Sequence, residues 1–278
     1  MTRPAPAPAL PHPVVDCHCH MDMAYGEEPV RTLSETMQRS AAVGVTRVVQ
    51  VGCDITTSRW AVAASGERED VVATVALHPN EAPRVWAQHG RDALHEQWAE
   101  ISELARSPRV RAIGETGLDF FRTGPEGREV QEESFRFHIR LAKELGLPLM
   151  IHDRDAHDDV VRVVLEEGAP ETIVFHCFSG DESLAAVCAE HGWYASFAGT
   201  VTYKNAEGIR AALRAMPSHL ILTETDAPFL PPMPHRGQVN ASELLPLTVV
   251  AMAEQRGEDL AEFCAQVQAN AFAAFGTW

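Results

Sequence analysis

Residues 14–22 read VVDCHCHMD, an apolar entry followed by His18 and His20 two positions apart. Alternate side chains of a β-strand share a face, so both imidazoles project one way while Cys17 and Cys19 project the other. Two ring nitrogens aimed together from a strand end make a metal-ligand pair. The same spacing also suits two half-buried histidines on a sheet surface. The pattern recurs further along the chain, and that recurrence decides between them.

After this stretch, short β-branched runs alternate with longer helical patterns. The expected strands are 14–18, 46–51, 71–77, 110–114, 149–152, 172–176, 194–199 and 220–224. Amphipathic helices are expected at 33–43, 57–65, 92–106, 131–145, 158–167, 182–190 and 205–215, each ending at or near a Gly or Pro. In the fourth of these, Phe135, Ile139, Ala142 and Leu145 recur at three- and four-residue steps, one apolar stripe for a sheet face. A helix after each strand implies parallel pairing, because parallel neighbours need a crossover. An open doubly wound sheet is the rival arrangement, but eight such repeats in about 250 residues have the size of a closed (β/α)8 TIM barrel. The expected organisation is a flexible Pro/Ala-rich arm at 1–13 and one barrel domain at 14–278, closed by helices at 242–255 and 260–275.

Composition narrows the function. A formal charge of −16 argues against a broad basic surface for polyanions, although bound divalent cations reverse the sign of a local field. Six cysteines without the spacing of a small secreted scaffold read as reduced thiols, and so as a cytoplasmic protein. Cys17 and Cys19, on the face away from the histidines, read as core thiols. The N-terminal TRPAPAPALPHP lacks the apolar core of a signal peptide, and no membrane span is expected.

In barrels of this kind the reactive groups sit at the C-terminal ends of the strands. Those ends carry His18 and His20, His78 in LHP, Glu115 in GETGLD, His152 in IHDRD, His176 in FHCFSG, and Glu224 with Asp226 in ETDAP. Five of the thirteen histidines fall at these few positions, which random placement would not give. Four imidazoles with Glu115 and Asp226 suffice for two divalent ions, with zinc, manganese or magnesium as the candidates. The expected sharing is His18, His20 and Asp226 on one ion, His152 and His176 on the other, and Glu115 between them. Asp226 is also the candidate general base. Glu224, one pleat deeper on the same face, is expected to orient a ligand. His78, Arg154 and Arg236 are candidate substrate contacts, the arginines because a guanidinium pairs phosphate oxygens bidentately. Arg122 is a weaker candidate of the same kind, and Phe120 and Phe121 are candidate stacking surfaces for a base.

Together DCHCHMD, GETGLDF, LPLMIHDRDA, FHCFSG and ILTETDAPFL resemble the TatD family of metal-dependent deoxyribonucleases, in the amidohydrolase-like superfamily, in consistent order over about residues 14–275. The resemblance implies metal-dependent hydrolysis of DNA phosphodiesters, often as a 3′-to-5′ exonuclease; the negative charge adds the expectation that DNA enters as a single-stranded or frayed end. By position it places the family's metal ligands on His18, His20, Glu115, His152, His176 and Asp226. The chain departs from the family pattern after strand eight. There HRGQVNAS keeps Arg236, Gly237 and Asn240 but lacks a further cation and a Glu-Pro pair. It departs again at His138, where the family has Gln; His138 reads as a packing or surface substitution.

One rival is a related barrel cleaving another ester or amide, such as an aminoacyl-tRNA ester. Such barrels often bridge their ions with a carbamylated lysine at the end of strand four. This chain has Glu115 there, and its only lysines, Lys143 and Lys204, lie elsewhere. A non-catalytic metal-binding scaffold is the other rival, disfavoured by a complete ligand set. The sequence leaves the oligomeric state open.

Overall fold

The computed structural model describes residues 2–278. Eight parallel strands, hydrogen-bonded in chain order from first to last, alternate with helices and make the expected (β/α)8 barrel. The chain forms two compact units, Met1–Gln50 with Cys177–Trp278, and Val51–His176.

The first unit holds both chain ends. It contains β1 (Val14–Cys19), α1 (Leu33–Ala42) and most of β2 (Val45–Val51). Its second half is α6 (Glu182–His191), β7 (Tyr194–Phe197), α7 (Glu207–Ala215), β8 (Ile221–Thr223), α8 (Leu245–Arg256) and α9 (Leu260–Phe275). Every residue of β1 is buried, Cys17 and Cys19 included, so the two thiols are core groups as expected. β8 returns to β1: the Asp226 N–H donates to the His18 carbonyl at 2.9 Å and the His20 N–H to the Ala227 carbonyl at 2.7 Å. Helix α9 covers both strands and ties itself on through Asn270, whose amide donates to the carbonyls of Ser218 and Ile221. α1 starts at a reciprocal cap, Thr32 with Glu35, and α6 and α8 stop at left-handed Gly192 and Gly257.

The expected loose arm is held to this unit. The Val239 N–H donates to the Thr2 carbonyl, the Ala7 N–H to the Glu243 carbonyl and the Leu10 N–H to the Val43 carbonyl, at 3.0–3.1 Å. Pro/Ala composition hides this, because the arm is pinned by main-chain bonds that any sequence can make.

The second unit runs α2 (Ile55–Glu67), β3 (Val71–Val75), α3 (Glu81–Leu104), β4 (Val110–Asp119), α4 (Pro125–Leu145), β5 (Leu149–Arg154), α5 (His157–Glu167) and β6 (Ile173–Phe175). The helix expected at 92–106 follows a break at Gly90 (φ 84°) within α3, and a further helical stretch from Glu81, with Pro83 in its first turn, precedes it; α4 begins earlier than expected, with Pro125 as its first residue. Proline is tolerated there because the first-turn N–H groups have no partner within the helix. β4 also outruns its expected end at residue 114, continuing through GETGLD to Asp119 with a register shift against β5 between Ile113 and Thr116. Only glycine permits the close approach at residue 117: φ is 141°, and a Cβ there would stand 2.0 Å from the His152 carbonyl oxygen.

Candidate metal centre

In the first unit, β1 and the turn after β8 bring His18, His20 and Asp226 together. The Nε2 atoms of His18 and His20 are 3.2 Å apart, and Asp226 Oδ1 lies 3.7 Å and 3.5 Å from them. Zinc bonds of about 2.0–2.1 Å in a tetrahedron set ligand atoms roughly 3.3–3.4 Å apart, so these three atoms fit around one ion. Both imidazoles are buried. Behind them Asp16 anchors the turn, its carboxylate accepting from the Thr225 N–H at 2.9 Å and the Thr225 hydroxyl at 2.6 Å. Complete burial pushes the Asp16 carboxyl up to about 6, against the pull of those bonds. Glu224 is buried one step before Thr225 and accepts the Cys177 N–H at 2.8 Å. Asn240, one of the residues that match the family pattern, donates its amide to the carbonyls of Thr225 and Phe229 and so fixes that turn.

In the second unit, Glu115 collects three imidazoles. Its Oε1 lies 2.7 Å from His152 Nδ1, 2.8 Å from His176 Nε2 and 3.4 Å from His78 Nε2. His78, Glu115 and His152 each offer a ligand atom within 4.8 Å of the others. Burial alone would raise the Glu115 carboxyl, but His176, His78 and His152 outweigh it and hold it well below the usual carboxylate range. Burial likewise lowers His78, while for His152 it is overcome by Asp119 and Glu115, which raise it. Imidazoles around a buried carboxylate form a donor set suited to zinc or manganese; magnesium prefers more oxygen.

Three groups here escaped the sequence reading. Asp119 closes β4, with Oδ2 3.3 Å from His152 Nε2 and 3.0 Å from the Asn80 amide. Gln131 braces it, accepting the Asp119 N–H at 3.1 Å. Cys53, just past β2, directs its thiol at Glu115 Oε2 across 3.5 Å. The strand-end rule would have found Cys53 and Asp119 had it been applied to strand two and to the second acid of GETGLD.

The candidate substrate contacts are more dispersed. His78 is at the Glu115 cluster. Arg154 lies 3.9 Å over the ring of Phe121, which is 61% exposed, while Arg236 lies 4.8 Å over Tyr203 and Arg128 4.0 Å over Phe120. His138, in α4, is fully buried and is a packing group rather than a surface one.

A (β/α)8 barrel with imidazole and carboxylate clusters toward its strand ends is an architecture suited to metal-assisted hydrolysis. Comparison with known proteins narrows the class. The TatD related DNase family profile matches residues 15–276, and the chain belongs to that family. It is 42% identical over 268 residues to the uncharacterized metal-dependent hydrolase TatD of Mycobacterium tuberculosis, covering 95% of this chain and 98% of that one. It is 34% identical over 261 residues to the metal-dependent hydrolase YcfH of Escherichia coli K12, covering 94% of each. The crystal structure of YjjV, a TatD homolog from E. coli K12, superposes with a TM-score of 0.84 at 29% identity, over 94% of this chain and 97% of that chain. The chain is thus a metal-dependent hydrolase of the TatD family. Among the described residues no helix is long and apolar enough to cross a membrane.

Proposed function

We propose that this hydrolase cleaves DNA phosphodiester bonds, working 3′ to 5′ on single-stranded or frayed ends with two divalent ions. The observation that carries the reading is Glu115, a buried carboxylate within β4 that faces three imidazoles. The family description, a TatD related DNase, supports the substrate.

His18, His20 and Asp226 would hold one ion, and Glu115, His152 and His176 the other. Bound there, such ions bring the pKa of water toward neutrality and offset charge on phosphoryl oxygens. Asp226 is partly exposed and would take the proton of the attacking water as general base. Glu224 fixes the main chain at Cys177, the residue after His176. Asp119 holds the His152 ring from its far nitrogen, as carboxylates behind ligand histidines do. His78 and Arg154 take phosphate oxygens, and Arg236 serves the same end from the loop after β8.

The test is metal analysis of the purified protein, followed by assays on single-stranded DNA, RNA and an aminoacyl ester with and without chelator. Chelator-sensitive release of nucleotides from DNA 3′ ends is the expected result. Turnover of the aminoacyl ester alone would replace the DNA reading with the other ester-cleaving chemistry. Bound metal with no turnover of any substrate would favour the scaffold.

A further inference from the structure

Two guanidiniums bind one carboxylate in the first unit, and a third lies near them. Arg39 clamps Glu243 with two parallel bonds of 2.8 Å, and Arg31 adds a third at 2.8 Å. Arg3, delivered by the pinned arm, has weaker partners: the Pro29 carbonyl at 2.9 Å and Glu28 at 4.0 Å. Three cations thus face two carboxylates, a local positive excess in a chain whose formal charge is −16. Burial and the neighbouring Arg31 lower the Arg3 pKa, with Glu28 and Glu243 opposing, as expected of a guanidinium short of negative charge.

Arg3 and Arg31 line a cavity of about 40 Å³, counted as space open to the centres of water-sized molecules, whose wall also includes His20 and Ser242. One water fills roughly 10–15 Å³ of such space, so there is room for a larger group. The cavity includes a candidate metal ligand in its wall, and an arginine side chain carries the planar fork that matches phosphate oxygens.

We propose that Arg3, with Arg31, binds a second phosphate of a nucleic-acid substrate, one neighbouring the phosphodiester being cut, in the cavity beside His20. This rests on the phosphodiesterase reading above and extends it. Arg3 lies outside residues 15–276, the part matched to the family. The arm therefore contributes to substrate recognition a cation that the common barrel does not supply.

The experiment compares wild type, Arg3→Ala and Arg3→Lys on a single-stranded oligodeoxynucleotide and on bis(4-nitrophenyl) phosphate, a diester with only one phosphate. Losing one charge-assisted hydrogen bond corresponds to about tenfold, so Arg3→Ala should lower selectivity for the oligonucleotide over the small diester about tenfold, through KM. Arg3→Lys should recover part of it, and melting temperature and metal content should match wild type. An unchanged selectivity ratio overturns the assignment, as does an equal loss on both substrates, which marks Arg3 as structural. Wild-type protein that cleaves neither substrate ends the phosphodiesterase reading, and this assignment with it.

Discussion

Glu115 Oε1 and His152 Nδ1 are 2.7 Å apart, and the opposite nitrogen of the same ring lies 3.3 Å from Asp119 Oδ2. One imidazole is therefore held at both ends by buried carboxylates of the same strand, β4, Glu115 within it and Asp119 at its end. A ring caught in this way cannot turn without losing a charge-assisted contact, so its orientation is set before any ion binds. The residues separating the two acids include Gly117, whose missing Cβ lets β4 run close against the His152 carbonyl.

Glu115→Gln keeps the shape of the side chain and removes its charge. The expected outcome is loss of at least one bound ion and a fall in kcat/KM of at least about a hundredfold, since changes merely behind metal ligands already cost 10–100-fold. Metal analysis and turnover on single-stranded DNA check it, with circular dichroism confirming the fold. Full turnover with the ion retained would falsify the ligand role of Glu115.

Arg154 presents its guanidinium against exposed Phe121 at the end of β5. Arg154→Ala should weaken single-stranded DNA binding by about tenfold with the bound metal retained, the scale of one charge-assisted bond. Fluorescence anisotropy and metal analysis measure the two quantities separately. Affinity equal to wild type would remove Arg154 from the substrate path.

Much of the fold was readable because the barrel repeats its signals: β-branched runs and amphipathic stripes alternate eight times. The boundaries that failed did so for identifiable reasons. Pro83 and Pro125 sit in first turns, where a missing N–H costs nothing, so helical chain extends ahead of the expected residues 92 and 131. GETGLD reads as a glycine-rich loop, yet Gly117 is what allows the strand to continue. Among site groups, histidine at strand ends was a strong signal and brought out His18, His20, His78, His152 and His176. The role of Asn240 was not legible, because its use as a turn brace depends on the carbonyls of Thr225 and Phe229, which only the folded chain places within reach. Arg3 was missed for a similar reason: nothing in an alanine- and proline-rich arm shows where it docks.

Gly117→Ala tests the strand that carries both acids. A Cβ there meets backbone rather than a yielding side-chain tip, and φ of 141° is unfavourable for any L side chain. Destabilisation of about 3 kcal/mol or more is expected, beyond the usual range for a surface substitution, and a lower denaturant midpoint reads it. Metal affinity should fall with it, because His152 supplies the clashing carbonyl. A midpoint equal to wild type would mean that β4 has another path past β5.

His138 sets a pH dependence whose sign is fixed by its two bonds. The Leu77 N–H donates to Nε2 at 3.1 Å, so that nitrogen is unprotonated, while Nδ1 donates to the Ser134 carbonyl at 2.7 Å. Protonation would break the Leu77 bond and place a charge in a fully buried position, and burial pushes the ring down to about 4 from 6.5. The unfolded chain therefore takes up this proton first as pH falls. Stability from this group is complete above pH 6.5 and is lost as pH drops toward 4, roughly 3 kcal/mol in all at about 1.4 kcal/mol per pH unit. His138→Gln has no such proton to gain. Between pH 7 and pH 5, wild type should lose about 2 kcal/mol more of unfolding free energy than the variant, measured by urea titration at each pH. Equal losses in the two proteins would mean that the ring titrates normally, and so that it is not held neutral by burial.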